Sequence, residues 1–161
     1  MSLLAAIASI LFVFEEMITI PIPFFKIGIA NVVTLVVLLY YGFRETILVV
    51  LLRVIIGSLL IGTLFQPGFF FSLGGGLSST MAMGLTLRYG RRFFGLIGIS
   101  IVGAFTKNAT QLVIAYLFLI RHIQIFSLMA LFFLISIVAG ILVGLLTSVI
   151  LKKMNFTVSR L

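Results

Sequence analysis

The sequence predicts an all-α membrane protein with six transmembrane helices and with both termini in the cytoplasm. Of its 161 residues, 63% are hydrophobic and 9% are charged, so it cannot cover a water-soluble domain with polar side chains. A bilayer crossing needs roughly 20 apolar residues, which allows five or six crossings here. We therefore treat residues 1–161 as one transmembrane domain with spans at about 3–20, 27–41, 45–65, 70–87, 93–119 and 127–151.

Each boundary between these spans has a local cause. Pro21 and Pro23 end the first span, because proline lacks an amide donor and clashes with the preceding helical turn. The first span has no basic stretch before it and no small-residue cleavage site, so we expect it to be retained. The later boundaries are turns that contain glycine or polar residues: Gly42–Arg44, Gln66–Gly68, Tyr89–Arg92 and Arg121–Gln124.

The basic residues predict the orientation, because cytoplasmic loops carry an excess of Lys and Arg. With the N-terminus inside, the outer loops hold only Lys26 and Arg121, and the spans hold Arg53 and Lys107. We therefore predict a multi-pass protein of a prokaryotic cytoplasmic (inner) membrane, without a soluble basic surface for nucleic acid. The cytoplasmic side holds the other seven basic residues, namely Arg44, Arg88, Arg91, Arg92, Lys152, Lys153 and Arg160.

The acidic residues exclude several kinds of chemistry. They are Glu15, Glu16 and Glu45, and the chain contains no Asp, no Cys and one histidine, His122. Mg²⁺ sites need clustered carboxylate oxygens, and a zinc site needs more than one histidine. The chain also lacks a phosphate-binding loop of the G-x-x-x-x-G-K-[S/T] type. We expect no catalytic residue, no metal and no cofactor, so any energised work requires a partner chain.

Polar side chains inside apolar spans predict a ligand pocket, because such groups usually face the bundle interior or a wet cavity. Arg53 lies about 12 Å into the third span, where it could grip an anion, form a structural ion pair or snorkel to the headgroups. Span five carries Ser100, Ala104, Lys107 and Gln111 on one helical stripe. The candidate substrate-binding residues of this outward-facing pocket are Glu16, Lys26, Asn31, Arg53, Lys107, Asn108 and Gln111. The alternative is hydrogen bonding between helices, worth about 0.6 kcal/mol per bond.

Small residues mark further contacts between helices. The stretch Ser72–Ser79 contains three consecutive glycines, which predicts either close packing, the reading we favour slightly, or irregular backbone that binds an anion. Gly140 and Gly144 form a GxxxG contact that we expect to be internal. Ala5 and Ser9 offer a smooth face on the first span where a partner helix could dock.

Five ordered segments resemble one known family, the Gx transporters, also labelled heptaprenyl diphosphate synthase component I. One position departs from the pattern, because Lys107 stands where we expect histidine before the asparagine. The matching segments cover nearly the whole chain in order: Lys26–Leu35, Arg53–Thr63, Ser72–Ser79, Gly98–Ala104 and Asn108–Gln111.

The resemblance implies a fold similar to the substrate-binding S components of energy-coupling-factor (ECF) transporters. Such a subunit captures a small molecule from outside and associates with a transmembrane coupling protein and ATPase subunits. In that fold a small-residue face on helix one meets the coupling protein, and Ala5 and Ser9 are the nearest match. The alternative function is a non-catalytic membrane component of heptaprenyl diphosphate synthase, or another isoprenoid-handling accessory. Trans-prenyltransferases hold diphosphate through Mg²⁺ on Asp-rich motifs, which this chain lacks.

Overall fold

The structure is a computed structural model that describes residues 2–17, 28–90, 93–118 and 128–153. The described residues form six helices and no strand, which confirms the all-helical prediction. The helices lie at the predicted apolar segments: α1 Ser2–Met17, α2 Ala30–Tyr40, α3 Phe43–Ile61, α4 Pro67–Tyr89, α5 Leu96–Phe118 and α6 Leu128–Lys153.

The third helix ends earlier than its predicted boundary at residue 65. Gly62 follows Ile61 in the left-handed region, with φ at +75°, which glycine adopts without steric cost. The amide of Thr63 then donates to the carbonyl of Ser58 at 2.9 Å and closes the end of the helix. The next helix begins at Pro67, because a proline in the first turn has no donor to leave unsatisfied.

Helix α2 is the centre of the bundle. It packs against α1, α3, α4 and α6, and every residue from Ala30 to Leu39 is buried. A helix that is apolar on all sides is typical of such a position. Its side chains join a core cluster of four helices, which contains Leu35, Leu38, Leu39, Met83, Ile99 and Leu151. Any polar group on α2 therefore lies inside the protein.

Glycines bring the last three helices close together. An added Cβ at Gly140 would lie 2.5 Å from the Ile101 Cα, and one at Gly144 would lie 2.8 Å from the Ile97 Cα. The GxxxG motif therefore packs internally against α5, as predicted. The three glycines of Ser72–Ser79 lie within the continuous helix α4, which favours close packing over irregular backbone.

The outer surface of the bundle is strongly apolar. Leu3, Leu60, Phe93 and Val138 are each more than 60% exposed, although they are large hydrophobic side chains. Two described helices are long and apolar enough to cross a membrane, namely Leu96–Phe118 and Met129–Lys153. The helices α1 and α2 are shorter than 18 residues, and α3 holds three charged residues.

The predicted six-span topology is therefore supported for two helices and stays a prediction for the other four. Its orientation also stays a prediction. Several of the basic residues that indicate the orientation lie outside the described residues, namely Lys26, Arg91, Arg92, Arg121 and Arg160.

Candidate functional site

The guanidinium of Arg53 lies at the centre of the bundle, where it is 3% exposed. Its Nη1 donates to the Thr34 hydroxyl at 2.8 Å, and its Nη2 donates to Asn31 Oδ1 at 3.2 Å. The third nitrogen, Nε, is buried and has no hydrogen-bond partner among the described residues. Two residues of the central helix thus hold the arginine, and Nε is the guanidinium nitrogen without a partner among the described residues.

Lys107 shares a small cavity with Arg53. Both residues line it, together with Asn31 and Glu15, and Lys107 is 6% exposed. The cavity has about 10 Å³ for the centre of a water molecule, which is room for about one water. Two cations from α3 and α5 and one carboxylate from α1 therefore line the same confined space.

The glycines of α4 provide room for both cations. An added Cβ at Gly76 would lie 3.3 Å from the Nη2 of Arg53 and 2.9 Å from Val50 Cγ1. One at Gly75 would lie 3.1 Å from the Cγ of Lys107. Consecutive glycines thus face two different helices, and each allows one basic side chain to pass close to the α4 backbone.

A second polar cavity lies on the other side of Asn31 and Lys107. This cavity also has about 10 Å³ for the centre of a water molecule. Besides Asn31 and Lys107, the polar residues that line it are Ser79, Ser100 and Asn108. Asn108 donates from Nδ2 to the Ser136 hydroxyl at 2.8 Å, which ties α5 to α6. The two cavities flank the same pair of residues, so the polar centre reaches all six helices.

Gln111 lies further along α5 and lines neither of these two cavities. It is 1% exposed, and its Nε2 lies 3.5 Å from the carbonyl oxygen of Phe71 on α4. Its Oε1 has no hydrogen-bond partner among the described residues. The predicted stripe of Ser100, Ala104, Lys107 and Gln111 is buried along its whole length.

The carboxylate at the site comes from Glu15, although Glu16 was the predicted residue. Glu15 is buried and accepts a hydrogen bond from the backbone amide of Ile29. Glu16 is half-buried at the first turn of α4, where an added Cβ at Gly68 would lie 3.7 Å from its Oε1. Both acids were predicted at this height, and Glu15 is the one that lines the cavity, while a binding role of Glu16 stays a prediction. Sequence reasoning missed Thr34.

Three further predicted residues differ from their expected positions or lie outside the description. Lys26 lies outside the described residues. Ala5 and Ser9, predicted to face a partner, are both buried. Ala5 belongs to a cluster with Val33 and Val49 of α2 and α3, and the Ser9 hydroxyl donates to the Ala5 carbonyl. The chain's own helices therefore cover the predicted docking face.

The polar groups of the site are mainly hydrogen-bond donors. Among the described residues, no group of three or more His, Cys, Asp or Glu side chains could hold a metal ion. The donors instead are a guanidinium, an ammonium and amides, which suit carboxylate or phosphate oxygens. Among the described residues that line the two cavities, Arg53 and Lys107 are cationic and Glu15 is the one acid.

Fold and site together define a small all-helical protein with an apolar outer surface and a buried, cationic polar centre. The chain belongs to the heptaprenyl diphosphate synthase component I family, whose model matches residues 4–150. This match confirms the family resemblance, while the similarity to ECF S components stays a prediction. No curated protein and no solved structure matches the chain.

Proposed function

We propose that this protein is a non-catalytic, membrane-embedded subunit that binds the anionic head of an isoprenoid diphosphate and acts together with partner subunits. The observation that carries the proposal is the pair of buried cations, Arg53 and Lys107, on one cavity with a single carboxylate. The family name supports the isoprenoid, and a component implies other subunits.

The electrostatics of the site favour an anion over a neutral ligand. A buried positive charge is costly unless it is paired, and charge-assisted bonds from guanidinium to phosphate are among the stronger hydrogen bonds. Arg53 keeps one donor, Nε, without a described partner, and Asn31 adds an amide beside it. A diphosphate that contacts Arg53 and Lys107 would neutralise both cations.

The size of the cavity indicates what binding requires. Space for about one water cannot hold a diphosphate, so the ligand must separate helices around Arg53. The helices that would separate are α1, α2 and α3, because Glu15, Asn31 and Thr34 surround the guanidinium of Arg53. We expect ligand binding to change the protection of backbone amides from hydrogen exchange more in α1 and α2 than in α5.

The acid content supports a non-catalytic role. Mg²⁺ is held by carboxylates and substrate phosphates, and this chain has three acidic residues, of which only Glu15 lies on the cavity. In this proposal a partner subunit catalyses prenyl transfer, and this chain holds the substrate or product in the membrane.

Binding of a prenyl diphosphate by the purified chain tests this function. Farnesyl diphosphate and inorganic diphosphate should both bind, and the Arg53→Gln variant should lose at least about tenfold in affinity, or 1.4 kcal/mol. Farnesol, which lacks the diphosphate, should bind far more weakly. Equal binding of farnesol and farnesyl diphosphate would contradict the site, and chain elongation by the chain alone would contradict the non-catalytic role.

An S component of an ECF importer is the second candidate function. The observation that favours it is the enclosed position of the polar centre, with residues from all six helices around it. A long prenyl chain needs a path to lipid, whereas a small solute can be enclosed completely. Copurification with a transmembrane coupling protein and ATPase subunits, and ATP-dependent solute uptake in proteoliposomes, would support this function over the first.

A further inference from the structure

The carboxylate of Glu15 lies at the N-terminus of α2. It accepts the backbone amide of Ile29, immediately before α2 begins at Ala30. The amides at the start of a helix point outward without intrahelical partners and favour negative charge. Glu15 itself is 8% exposed, so this carboxylate lies inside the protein.

The same carboxylate neighbours the cations of the site. Glu15 lines the cavity together with Arg53 and Lys107, and it attracts the Arg53 guanidinium electrostatically. Arg53 is almost fully buried, and its Nε has no hydrogen-bond partner among the described residues. This observation does not depend on the N-terminus of α2. The site thus combines an unsatisfied buried donor with an internal anion already bound to neighbouring backbone.

We propose that Glu15 is an internal counter-ion that competes with the ligand for the cations of the site. An incoming phosphate displaces the carboxylate from the Ile29 amide and takes over the two cations. Every anion must displace the same carboxylate, so Glu15 lowers the affinity for weakly and highly charged anions alike. This inference rests on the proposed anion-binding function and adds the residue that an anion must displace.

The Glu15→Gln variant separates charge from structure. The glutamine side chain has nearly the same shape, and its Oε1 can still accept from Ile29, so the contact between α1 and α2 is preserved. Removal of the competing charge should raise the affinity for inorganic diphosphate at least about tenfold. The affinity of the variant for acetate should rise by a similar factor, because the same competing carboxylate is removed for both anions. Glu45→Gln, in the first turn of α3 and away from both polar cavities, is the matched control and should leave both affinities unchanged.

The outcomes distinguish this inference from the proposed function. If the wild-type protein binds inorganic diphosphate and Glu15→Gln binds it no tighter, the competition is wrong and the anion site stands. If Glu15→Gln binds more weakly, Glu15 contacts the ligand directly and the inference is also wrong. If neither protein binds diphosphate, prenyl diphosphates or acetate, the proposed function itself fails.

A second measurement uses the wild-type chain and does not depend on folding of the variant. Labelling glycine with ¹³C at the carbonyl and isoleucine with ¹⁵N selects the Gly-Ile peptides, which end at Ile29, Ile99 and Ile141. Inorganic diphosphate should shift the Ile29 amide resonance, because its acceptor changes from carboxylate to phosphate. The amides of Ile99 and Ile141 lie inside helices and serve as internal references. A ligand-saturated protein with an unshifted Ile29 resonance would overturn the inference.

Discussion

Replacement of Arg53 by methionine separates ligand binding from stability. Two hydrogen bonds from the charged guanidinium, at 2.8 and 3.2 Å, contribute about 3–6 kcal/mol in total. Burial of the guanidinium costs several kcal/mol, and the unsatisfied Nε adds about 1–3 kcal/mol to this cost. These opposing terms nearly cancel, so Arg53→Met should change the free energy of unfolding by less than about 2 kcal/mol.

Binding should respond much more strongly than stability. Loss of the guanidinium removes one of two cations, and we expect at least a tenfold loss in diphosphate affinity, or about 1.4 kcal/mol. Binding of radiolabelled diphosphate and equilibrium unfolding in mixed micelles measure the two effects on the same preparations. Arg44→Met, an exposed arginine in the first turn of α3, is the matched control and should change neither quantity by much.

The opposite pattern would refute this reasoning. An Arg53→Met protein that unfolds more easily by more than about 3 kcal/mol, yet binds diphosphate at the wild-type level, would make Arg53 a structural residue. If the Lys107→Met variant also bound diphosphate at the wild-type level, the cationic centre would not be the binding site.

Two further predictions concern the packing of α6. Gly140→Val places its Cβ about 2.5 Å from the Ile101 Cα, so α5 and α6 must separate. The free energy of unfolding, measured by thermal unfolding, should fall by roughly 1–3 kcal/mol or more. Gly95→Ala is its control, because no atom lies within 4 Å of its added Cβ. Asn108→Ala breaks the bond to Ser136 and should lower stability by about 0.6–2 kcal/mol in the same assay, a result that an unchanged midpoint would contradict.

Much of the fold could be predicted from the sequence, because apolar segments and helix-ending residues are local signals. The end of α3 was predicted four residues late. Residues 62–65 are still largely apolar, and only the left-handed conformation of Gly62 ends the helix. In the glycine stretch the sequence underestimates the helix, since three glycines weaken an isolated helix. The stretch is nevertheless helical, and its Gly75 and Gly76 lie against side chains of α5 and α3.

The candidate site was predicted in part for similar reasons. Arg53 and Lys107 are conspicuous in any apolar segment, and their cost in lipid already indicates a buried position. The choice between Glu15 and Glu16 depends on the rotation of α1 about its axis. Neighbouring residues on a helix point about 100° apart, and an almost uniformly apolar helix does not indicate its inner face. The burial of Ala5 and Ser9 depends on the same rotation of α1, and their role as a partner interface stays a prediction.

Composition and local pattern therefore determined that this protein is helical and apolar, and that it carries two cations within its helices without acid clusters for metal chemistry. These properties depend on residue types and on short-range spacing along the chain. Only the tertiary structure decided that α2 is the central helix, that Arg53 and Lys107 meet across it, and that Glu15 joins them. Such contacts depend on helix rotation and packing between distant residues, because every face of an apolar helix is equally suited to burial until its neighbours are in place.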